Sequence, residues 1–164
     1  MRAIGEASSD HQWPPRLATV ADADEVAALL DGFNVEFCTA TPGVAVLASR
    51  LRLLLIGETT FALLAGSPAV AVALVTLRSN VWFQGQVALL DELYVVPTLR
   101  GRGIGSRMIE VLLAAAVQRS VSQVEINVDE GDLDARRFYE RHGFTATEPG
   151  STERALYYSR ELAG

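Results

Sequence analysis

The sequence predicts a mixed α/β (α+β) fold, in which one mixed, mostly antiparallel sheet carries helices on both faces. The expected order of elements is β-α-α-β-β-β-α-β-α-β-β. Three short runs of β-branched and small apolar residues follow one another between residues 60 and 96, which is typical of an antiparallel meander. A long helix with an apolar stripe and a further strand come next. This β-α-β unit makes the predicted sheet mixed.

Length and composition indicate one globular unit. The chain has 164 residues, 49% of them hydrophobic, but lacks the run of about 18 apolar residues that a membrane span needs. Residues 1–15 lack the apolar block of a signal peptide and end in two prolines, so we expect a flexible N-terminal tail there and a single domain over 16–164. With Cys38 as the one cysteine, no internal disulfide is possible, and a cytoplasmic protein is expected.

The balance of acidic and basic residues indicates which classes of binding partner to expect. Fourteen basic residues stand against twenty acidic ones, which gives a formal net charge of −6. Proteins that bind nucleic acid or anionic membranes rely on a basic field, so neither partner is expected. A small-molecule amine is compatible with this charge. No metal-ligand spacing is present, and a homodimer stays open.

The first half of the chain begins with a strand and two helices. "RLATV" (residues 16–20) alternates polar and apolar residues as a short strand does. "ADADEVAALLDGF" has acids in its first turn and apolar residues at helical spacing. "NVEFCTATPG" breaks that pattern and predicts a loop, and "VAVLASRLRLLL" predicts a second helix.

The second half holds the meander and the β-α-β unit. "TFALLAG" and "AVAVALVTLR" flank "SP" and predict a hairpin, with "VALLDELYVV" as the third strand. "GIGSRMIEVLLAAAVQR" predicts a helix whose stripe is Ile104, Met108, Val111, Leu112 and Ala115. "QVEINV" predicts a strand and "LDARRFYERHG" a short helix that ends at a glycine. "FTAT" and "ALYYSREL" predict a closing hairpin.

Glycines and arginines alternate where the third meander strand gives way to a helix. Gly101, Gly103 and Gly105 leave the first N–H groups of that helix open, and those groups attract oxyanions. Arg100 and Arg102 add positive charge beside them. Pyrophosphate suits this arrangement. The run has no lysine for a P-loop, and it does not follow the first strand of a parallel unit, as a dinucleotide fold requires.

These residues resemble a known family. Arg100-x-x-Gly103-x-Gly105, preceded by "ELYVVP" and followed about thirty residues later by "ARRFYERHGF", is similar to the GNAT superfamily of N-acetyltransferases. The resemblance covers residues 16 to about 161, and within the superfamily the motif is most similar to polyamine and diamine acetyltransferases. It implies that acetyl-CoA serves as acetyl donor and an amine as acceptor.

The resemblance also implies where acetyl-CoA is held. Its pyrophosphate is expected on the backbone N–H groups of residues 100–106, namely Arg100, Gly101, Arg102, Gly103, Ile104, Gly105 and Ser106. Its pantetheine arm is expected to pair like an added strand with Leu93, Tyr94 and Val95, since an open strand edge matches its amides. In "DLDARRFY", the positions of Asp132, Ala135 and Phe138 match further cofactor positions. Family members often have Asn at the first of these, and an ionised carboxylate there only accepts hydrogen bonds.

Acetyl transfer to an amine needs a base, because an alkylammonium has no lone pair with which to attack. Asp91 and Glu92 are adjacent carboxylates in an otherwise apolar strand. Strand alternation aims them at opposite faces unless a bulge intervenes. They are the best candidates for the base and for ammonium recognition, and the sequence does not rank them. Glu125 and Asp129 are next in line.

The remaining steps need an oxyanion donor and an acid for the leaving thiolate. By resemblance, Tyr139 is the acid, and the backbone N–H of Leu93 is the expected oxyanion donor. Glu125 and Asn127 face away from the core side of their strand and are candidate substrate contacts. Asn34, Glu36 and Phe37 in the loop between the first two helices are weaker candidates.

Three functions follow from this sequence. The main one is N-acetyltransfer to a primary amine of a small molecule, by direct attack of the amine on the thioester. A protein or peptide N-acetyltransferase is the first alternative. A non-catalytic acyl-CoA-binding sensor is the second, and Tyr139 together with the two adjacent carboxylates argues against it.

Overall fold

A computed structural model describes residues 12–162 of the chain. The chain divides into two compact units, Met1–Ile126 and Asn127–Gly164. Most of the predicted N-terminal tail lies outside the described residues, and the single domain over 16–164 stays a prediction. Among the described residues, no helix combines the length and the apolar character needed to cross a bilayer.

The first unit is built on one five-stranded sheet with the order β1-β2-β3-β4-β5. Its strands are β1 (Pro15–Leu17), β2 (Thr60–Gly66), β3 (Ala69–Arg78), β4 (Gln86–Val95) and β5 (Val121–Ile126). Neighbouring strands are antiparallel except for β4 and β5, which are parallel. Pro15 opens an edge strand, where its missing N–H costs no ladder bond. The predicted meander and β-α-β unit are confirmed.

Three helices of the first unit cover its sheet: α1 (Ala23–Glu36), α2 (Val44–Ile56) and α3 (Ile104–Gln118). Ala62, Leu64, Val72 and Tyr94 form one buried cluster with residues of α1 and α2. Strand residues on the other face of the sheet, such as Leu63, Val75 and Leu90, are also fully buried. We call the face that carries Val72 and Tyr94 the α1/α2 face of the sheet.

Helix α3 packs through the predicted stripe, with Ile109 and Ala116 as additional buried residues. Ile104, Met108, Leu112 and Ala115 are buried as expected, whereas Val111 is only half-buried and Ile109 is fully buried. Each fully buried aliphatic side chain of this kind contributes about 1.5–3 kcal/mol. This packing holds the N-terminus of α3 at the end of β4, where the glycines lie.

Two element boundaries differ from the prediction in ways that concern the site. Helix α1 continues to Glu36, so part of the expected loop is its last turn, and Phe37 is its C-cap. Strand β5 starts at Val121 and ends at Ile126, so Asn127 lies beyond the strand. Both differences arise because local pattern marks element ends to within only a few residues.

The second unit contains helix α4 (Leu133–Arg141), as predicted, but not the closing hairpin. Within residues 127–162, a single bridge between Thr147 and Arg154 is formed, next to a backbone hydrogen bond from Ala155 to Ala146. The aromatic side chains Tyr157 and Tyr158 are exposed. A two-stranded ladder is marginal without a third strand or a helix against it, which accounts for its reduction to one bridge.

Candidate active site

A β-bulge in β4 brings both candidate carboxylates onto one face of the sheet. Leu74 of β3 pairs with Glu92, but the next residue, Val75, pairs with Leu90, so Asp91 is the extra residue of β4. Leu74 packs against the α1/α2 core, which places its partner Glu92 on the same face. The bulge therefore cancels the alternation that would have separated Asp91 from Glu92.

Thr76 holds Asp91 on that face. Its hydroxyl donates a hydrogen bond of 2.6 Å to Oδ2 of Asp91. Thr76 lies two residues after Leu74 on the same strand, so it shares the α1/α2 face with Glu92. The two carboxylates are thus neighbours around one threonine, with Asp91 exposed and Glu92 half-buried.

The surroundings shift both carboxylates toward the neutral form. Partial burial raises the pKa of Asp91, although the hydrogen bonds from Thr76 oppose that rise. Burial also raises the pKa of Glu92, and the charge of Asp91 raises it further. A carboxylate whose pKa lies above its ordinary value is a better proton acceptor near neutral pH.

Strand β4 extends beyond the end of β5, its parallel partner. The pairing with β5 ends where Leu90 meets Ile126, while β4 continues to Val95. The N–H of Val96 donates to the carbonyl of Val70 in β3. Because backbone groups alternate in direction, those of Leu93 and Val95 then turn away from β3. This leaves an open strand edge of the predicted kind, while the backbone of Tyr94 turns toward β3.

The glycine loop, defined here as residues 100–106, joins β4 to α3 through a short 3-10 turn at Pro97–Leu99. Gly101 and Gly103 have φ angles of +75° and +78°, and Gly103 is the N-cap of α3. A side chain is strained at these angles, so the loop requires glycine there. Among residues 12–162, no side chain caps α3, whose first N–H groups are therefore available to an anion.

Arg100 is the cation of this loop with the most contacts. It donates from Nη1 and Nη2 to the two carboxylate oxygens of Glu36, at 2.7 and 2.8 Å, and from Nε to the carbonyl of Val95 at 2.9 Å. Its guanidinium lies 5.5 Å from the ring centre of Tyr94. The hydrogen bond from Arg100 lowers the pKa of Glu36. Burial and the neighbouring Glu36 raise the pKa of the Tyr94 phenol.

The other substrate candidates differ in their surroundings. Asn34 lies in the last turn of α1, and Phe37 is 56% exposed with its ring 5.1 Å from that of Phe33. Glu125 pairs with Leu89, which places it on the α1/α2 face, and it accepts from Arg78 at 2.5 Å. Asn127 is exposed beyond the end of β5 and belongs to the second unit.

In the second unit, the end of helix α4 fixes Tyr139. The N–H of Gly143 donates to Glu140, and the N–H of Phe144 donates to the carbonyl of Tyr139, which together form a Schellman motif. The ring of Tyr139 lies 5.6 Å from that of Phe144, edge to face. Tyr139 is 8% exposed. Its backbone and ring are thus held by the structure that ends the helix.

The three cofactor positions of this unit lie along the same helix. Asp132 is the N-cap of α4, where its carboxylate accepts from the N–H of Ala135 at 2.9 Å. Phe138 packs its ring 5.1 Å from Tyr139 and 4.5 Å from His142. The carboxylate at position 132 therefore serves the helix, in keeping with its restriction to accepting hydrogen bonds.

Two hollows of the first unit lie away from the candidate carboxylates. Two adjoining depressions share Gln86 and Arg119, at the beginning of β4 and the end of α3. They are therefore at the other end of β4 from the carboxylates. Arg119 stacks 4.4 Å above the ring of Phe61 and donates to the carbonyl of Ala115. Through these contacts, Arg119 caps the C-terminal end of α3.

Two residues of the site, Thr76 and Arg78, were not anticipated from the sequence, and Arg100 has a partner that was not anticipated. From β3, Thr76 donates to Asp91 and Arg78 pairs with Glu125, while Arg100, expected at the cofactor, also pairs with Glu36 at the end of α1. A hydroxyl opposite a carboxylate could have been found only by aligning the two strands in register. No local signal in the sequence specifies that register at a bulge.

Comparison with known proteins agrees with this geometry. Residues 46–144 match the model of the acetyltransferase (GNAT) family. A protein from Archaeoglobus fulgidus, described as an uncharacterized N-acetyltransferase, is 34% identical over 86 residues, which span 50% of this chain and 58% of that protein. The matched stretch is thus little more than half the length of that curated relative.

Two solved structures extend the comparison. A crystal structure from Arthrobacter sp. FB24 with a provisional acetyltransferase description is 50% identical, with a TM-score of 0.87, and the alignment covers 97% of this chain and all of that one. The aminoglycoside N-acetyltransferase AAC(6')-Iy in complex with CoA has a TM-score of 0.74 at 14% identity, covering 92% and 96% of the two chains, and it shows the fold alone. The chain belongs to the acetyltransferase (GNAT) family, and the predicted fold, the enzyme class and acetyl-CoA as the family's acetyl donor are confirmed with it.

Proposed function

We propose that residues 16–164 act as one catalytic domain that transfers an acetyl group from acetyl-CoA to a primary amine of a small cationic molecule. The observation that carries this proposal is the bulge at Asp91, which gathers two carboxylates on one face directly before the open edge of β4. Base, thioester position and anion site would then follow one another along a single stretch of chain.

The first step is removal of a proton from the acceptor. We assign it to Asp91 or Glu92, acting directly or through a water molecule. Both have a raised pKa, so either is a stronger base than an ordinary carboxylate. The freed amine attacks the thioester carbonyl, and the carboxylate keeps the proton.

The donor would be held by backbone groups. We assign the pantetheine amides to the carbonyl of Leu93 and the N–H of Val95, which turn away from β3. The pyrophosphate would bind the open N–H groups of the glycine loop, to which Arg102 adds charge. Asp132, Ala135 and Phe138 are assigned to the cofactor by resemblance of their motif, with Asp132 acting through the helix that it caps.

The last steps need a hydrogen-bond donor and an acid. We assign the backbone N–H of Leu93 to the oxyanion that forms as the amine adds to the carbonyl. The C–S bond then breaks, and the CoA sulfur leaves as a thiolate that takes a proton from the phenol of Tyr139. The attacking nitrogen gives up its second proton to the resulting phenolate, directly or through water, which leaves a neutral amide and a neutral phenol. A phenol is neutral at pH 7 and can donate. The Schellman motif at the end of α4 gives this tyrosine a fixed place.

The charges of the first unit support a cationic acceptor. Glu36 and Glu125 are paired with Arg100 and Arg78, whereas neither Asp91 nor Glu92 has an ion-pair partner among residues 12–162. One carboxylate can serve as base while the other holds a second ammonium group. Diamines and polyamines, the acceptors implied by the motif, carry two or more such charges, and aminoglycosides offer several amines.

A panel of amines tests the proposal by thiol release from acetyl-CoA. The panel contains a diamine, a polyamine, an aminoglycoside, an amino acid and peptides with a free N-terminus or lysine, at equal concentration. We expect turnover with a small cationic amine. Turnover with peptides alone would favour the protein acetyltransferase. Binding of CoA without turnover on any amine would favour the sensor.

A further inference from the structure

We infer that Glu36 is a positioning residue for acetyl-CoA binding: it holds Arg100, and through it the start of the glycine loop, in the conformation that receives the pyrophosphate. This role differs from the substrate contact that the sequence suggested for Glu36. The inference rests on the proposed function, because it concerns the same donor site.

The contacts of Arg100 anchor the loop at three points. The bidentate pair with Glu36 ties it to the last turn of α1, and the bond from Nε to the Val95 carbonyl ties it to the end of β4. Its guanidinium lies over Tyr94, whose phenol neighbours the same carboxylate. Side chains 64 residues apart thus fix the residue that precedes Gly101.

Because these contacts occupy its side chain, Arg100 is not the main ligand of the phosphate. Three of its five N–H donors are used, and the charge of Glu36 offsets its own. The pyrophosphate must then rely on the N–H groups at the start of α3 and on Arg102, which is exposed. What Arg100 contributes is the shape of the loop, and Glu36 maintains it.

The carboxylate of Glu36 is likewise occupied by its contacts with Arg100. Both of its carboxylate oxygens accept from Arg100, in the two-pronged geometry that orients a guanidinium most strictly. The Tyr94 phenol is a further hydrogen-bond neighbour of this carboxylate. A carboxylate with both oxygens engaged is poorly placed to hold an ammonium group of the acceptor.

The test is the affinity of Glu36→Gln for CoA, measured by calorimetry on the full chain. We expect the Kd for CoA to rise about fivefold, the most that an exposed pair of this kind contributes. In steady-state assays, the KM for acetyl-CoA should rise by a similar factor, while kcat and the KM for the amine stay within twofold. Arg100→Lys keeps the positive charge but loses the two-pronged geometry, and it should weaken CoA binding to the same extent.

The matched control is Asp24→Asn, which removes an acid paired with Arg52 at the opposite end of α1. It should leave the Kd for CoA unchanged. Tighter or unaltered CoA binding in Glu36→Gln, or a rise in the KM for the amine alone, would overturn the inference. If Glu36→Gln does not fold, unaltered CoA binding by Arg100→Lys would overturn it instead. Lack of CoA binding by the unmodified chain would contradict the proposed function itself.

Discussion

The hydroxyl of Thr76 donates a hydrogen bond of 2.6 Å to Oδ2 of Asp91 across the β3–β4 ladder. This bond stabilises the ionised carboxylate and so counteracts the rise in the pKa of Asp91 that burial causes. It also influences Glu92, whose pKa the charge of Asp91 raises. One hydroxyl therefore acts on both candidate bases, and in opposite directions.

Thr76→Val should reveal which carboxylate is the base. Without the hydroxyl, the pKa of Asp91 rises, so the rising limb of the profile of kcat/KM against pH moves to higher pH if Asp91 is the base. A less ionised Asp91 raises the pKa of Glu92 less, so the limb moves to lower pH if Glu92 is the base. An unmoved limb would place the base outside this pair.

The amide variants of the two carboxylates address the same step by another route. Asp91→Asn and Glu92→Gln keep the shape and remove the charge. At the position of the base, the amide should lower kcat/KM for a cationic amine at least tenfold, since general-base assistance is worth about 10²–10⁴-fold. If the pH profiles of kcat/KM of both variants overlay that of the wild type, the general base is assigned to Glu125 or Asp129 instead.

Gly103→Val should weaken CoA binding about tenfold or more, measured by calorimetry. A side chain at φ +78° distorts the loop and obstructs the N–H groups that receive the pyrophosphate. Gly150→Val is the matched control, because Gly150 has a φ of +82° and equally open surroundings in the second unit. It should lower the melting temperature without changing CoA affinity. Equal CoA affinity in folded Gly103→Val would exclude the loop as the anion site.

Tyr139→Phe should lower kcat about a hundredfold with little change in the KM for acetyl-CoA, because the phenol acts only as the thiolate leaves. The ring contacts with Phe138 and Phe144 survive the substitution, so the fold should persist. Tyr157→Phe, at a tyrosine that is 71% exposed, serves as control and should retain full activity. If the kcat of Tyr139→Phe is within twofold of wild type when chemistry limits the rate, Tyr139 is not the acid and serves only in packing.

Asp22→Asn should lower the free energy of unfolding by about 1–2 kcal/mol at pH 7. The carboxylate of Asp22 accepts from Arg16 at 2.7 Å and from the N–H of Thr19 at 2.7 Å, which holds its pKa well below the ordinary range. Because the folded pKa is depressed, this stabilisation is present above about pH 4 and is lost as the pH falls further. Urea unfolding of both proteins at pH 7 and pH 3 measures it, and a difference independent of pH would contradict the assignment.

The closing hairpin shows where local pattern misleads. "FTAT" and "ALYYSREL" have the aromatic and β-branched composition of strands, yet within residues 127–162 the one bridge joins Thr147 to Arg154, just before the second segment. Composition reports that a segment suits a pleated surface, whereas a ladder also needs an adjacent partner. The same limit explains Asn127, which continues the alternation of β5 in sequence but lies past the last paired residue.

The sequence by itself determined the meander, the helix that follows it, the glycine loop and the tyrosine motif, because each depends on residues that are close together in the chain. A positive φ demands glycine wherever it occurs, and an apolar stripe buries itself on whatever sheet is present. Only the tertiary structure decided that Asp91 and Glu92 share a face and that Arg100 meets Glu36. Those relationships depend on strand register and on the approach of α1 to the end of β4, which are settled by packing between residues that are distant in the chain.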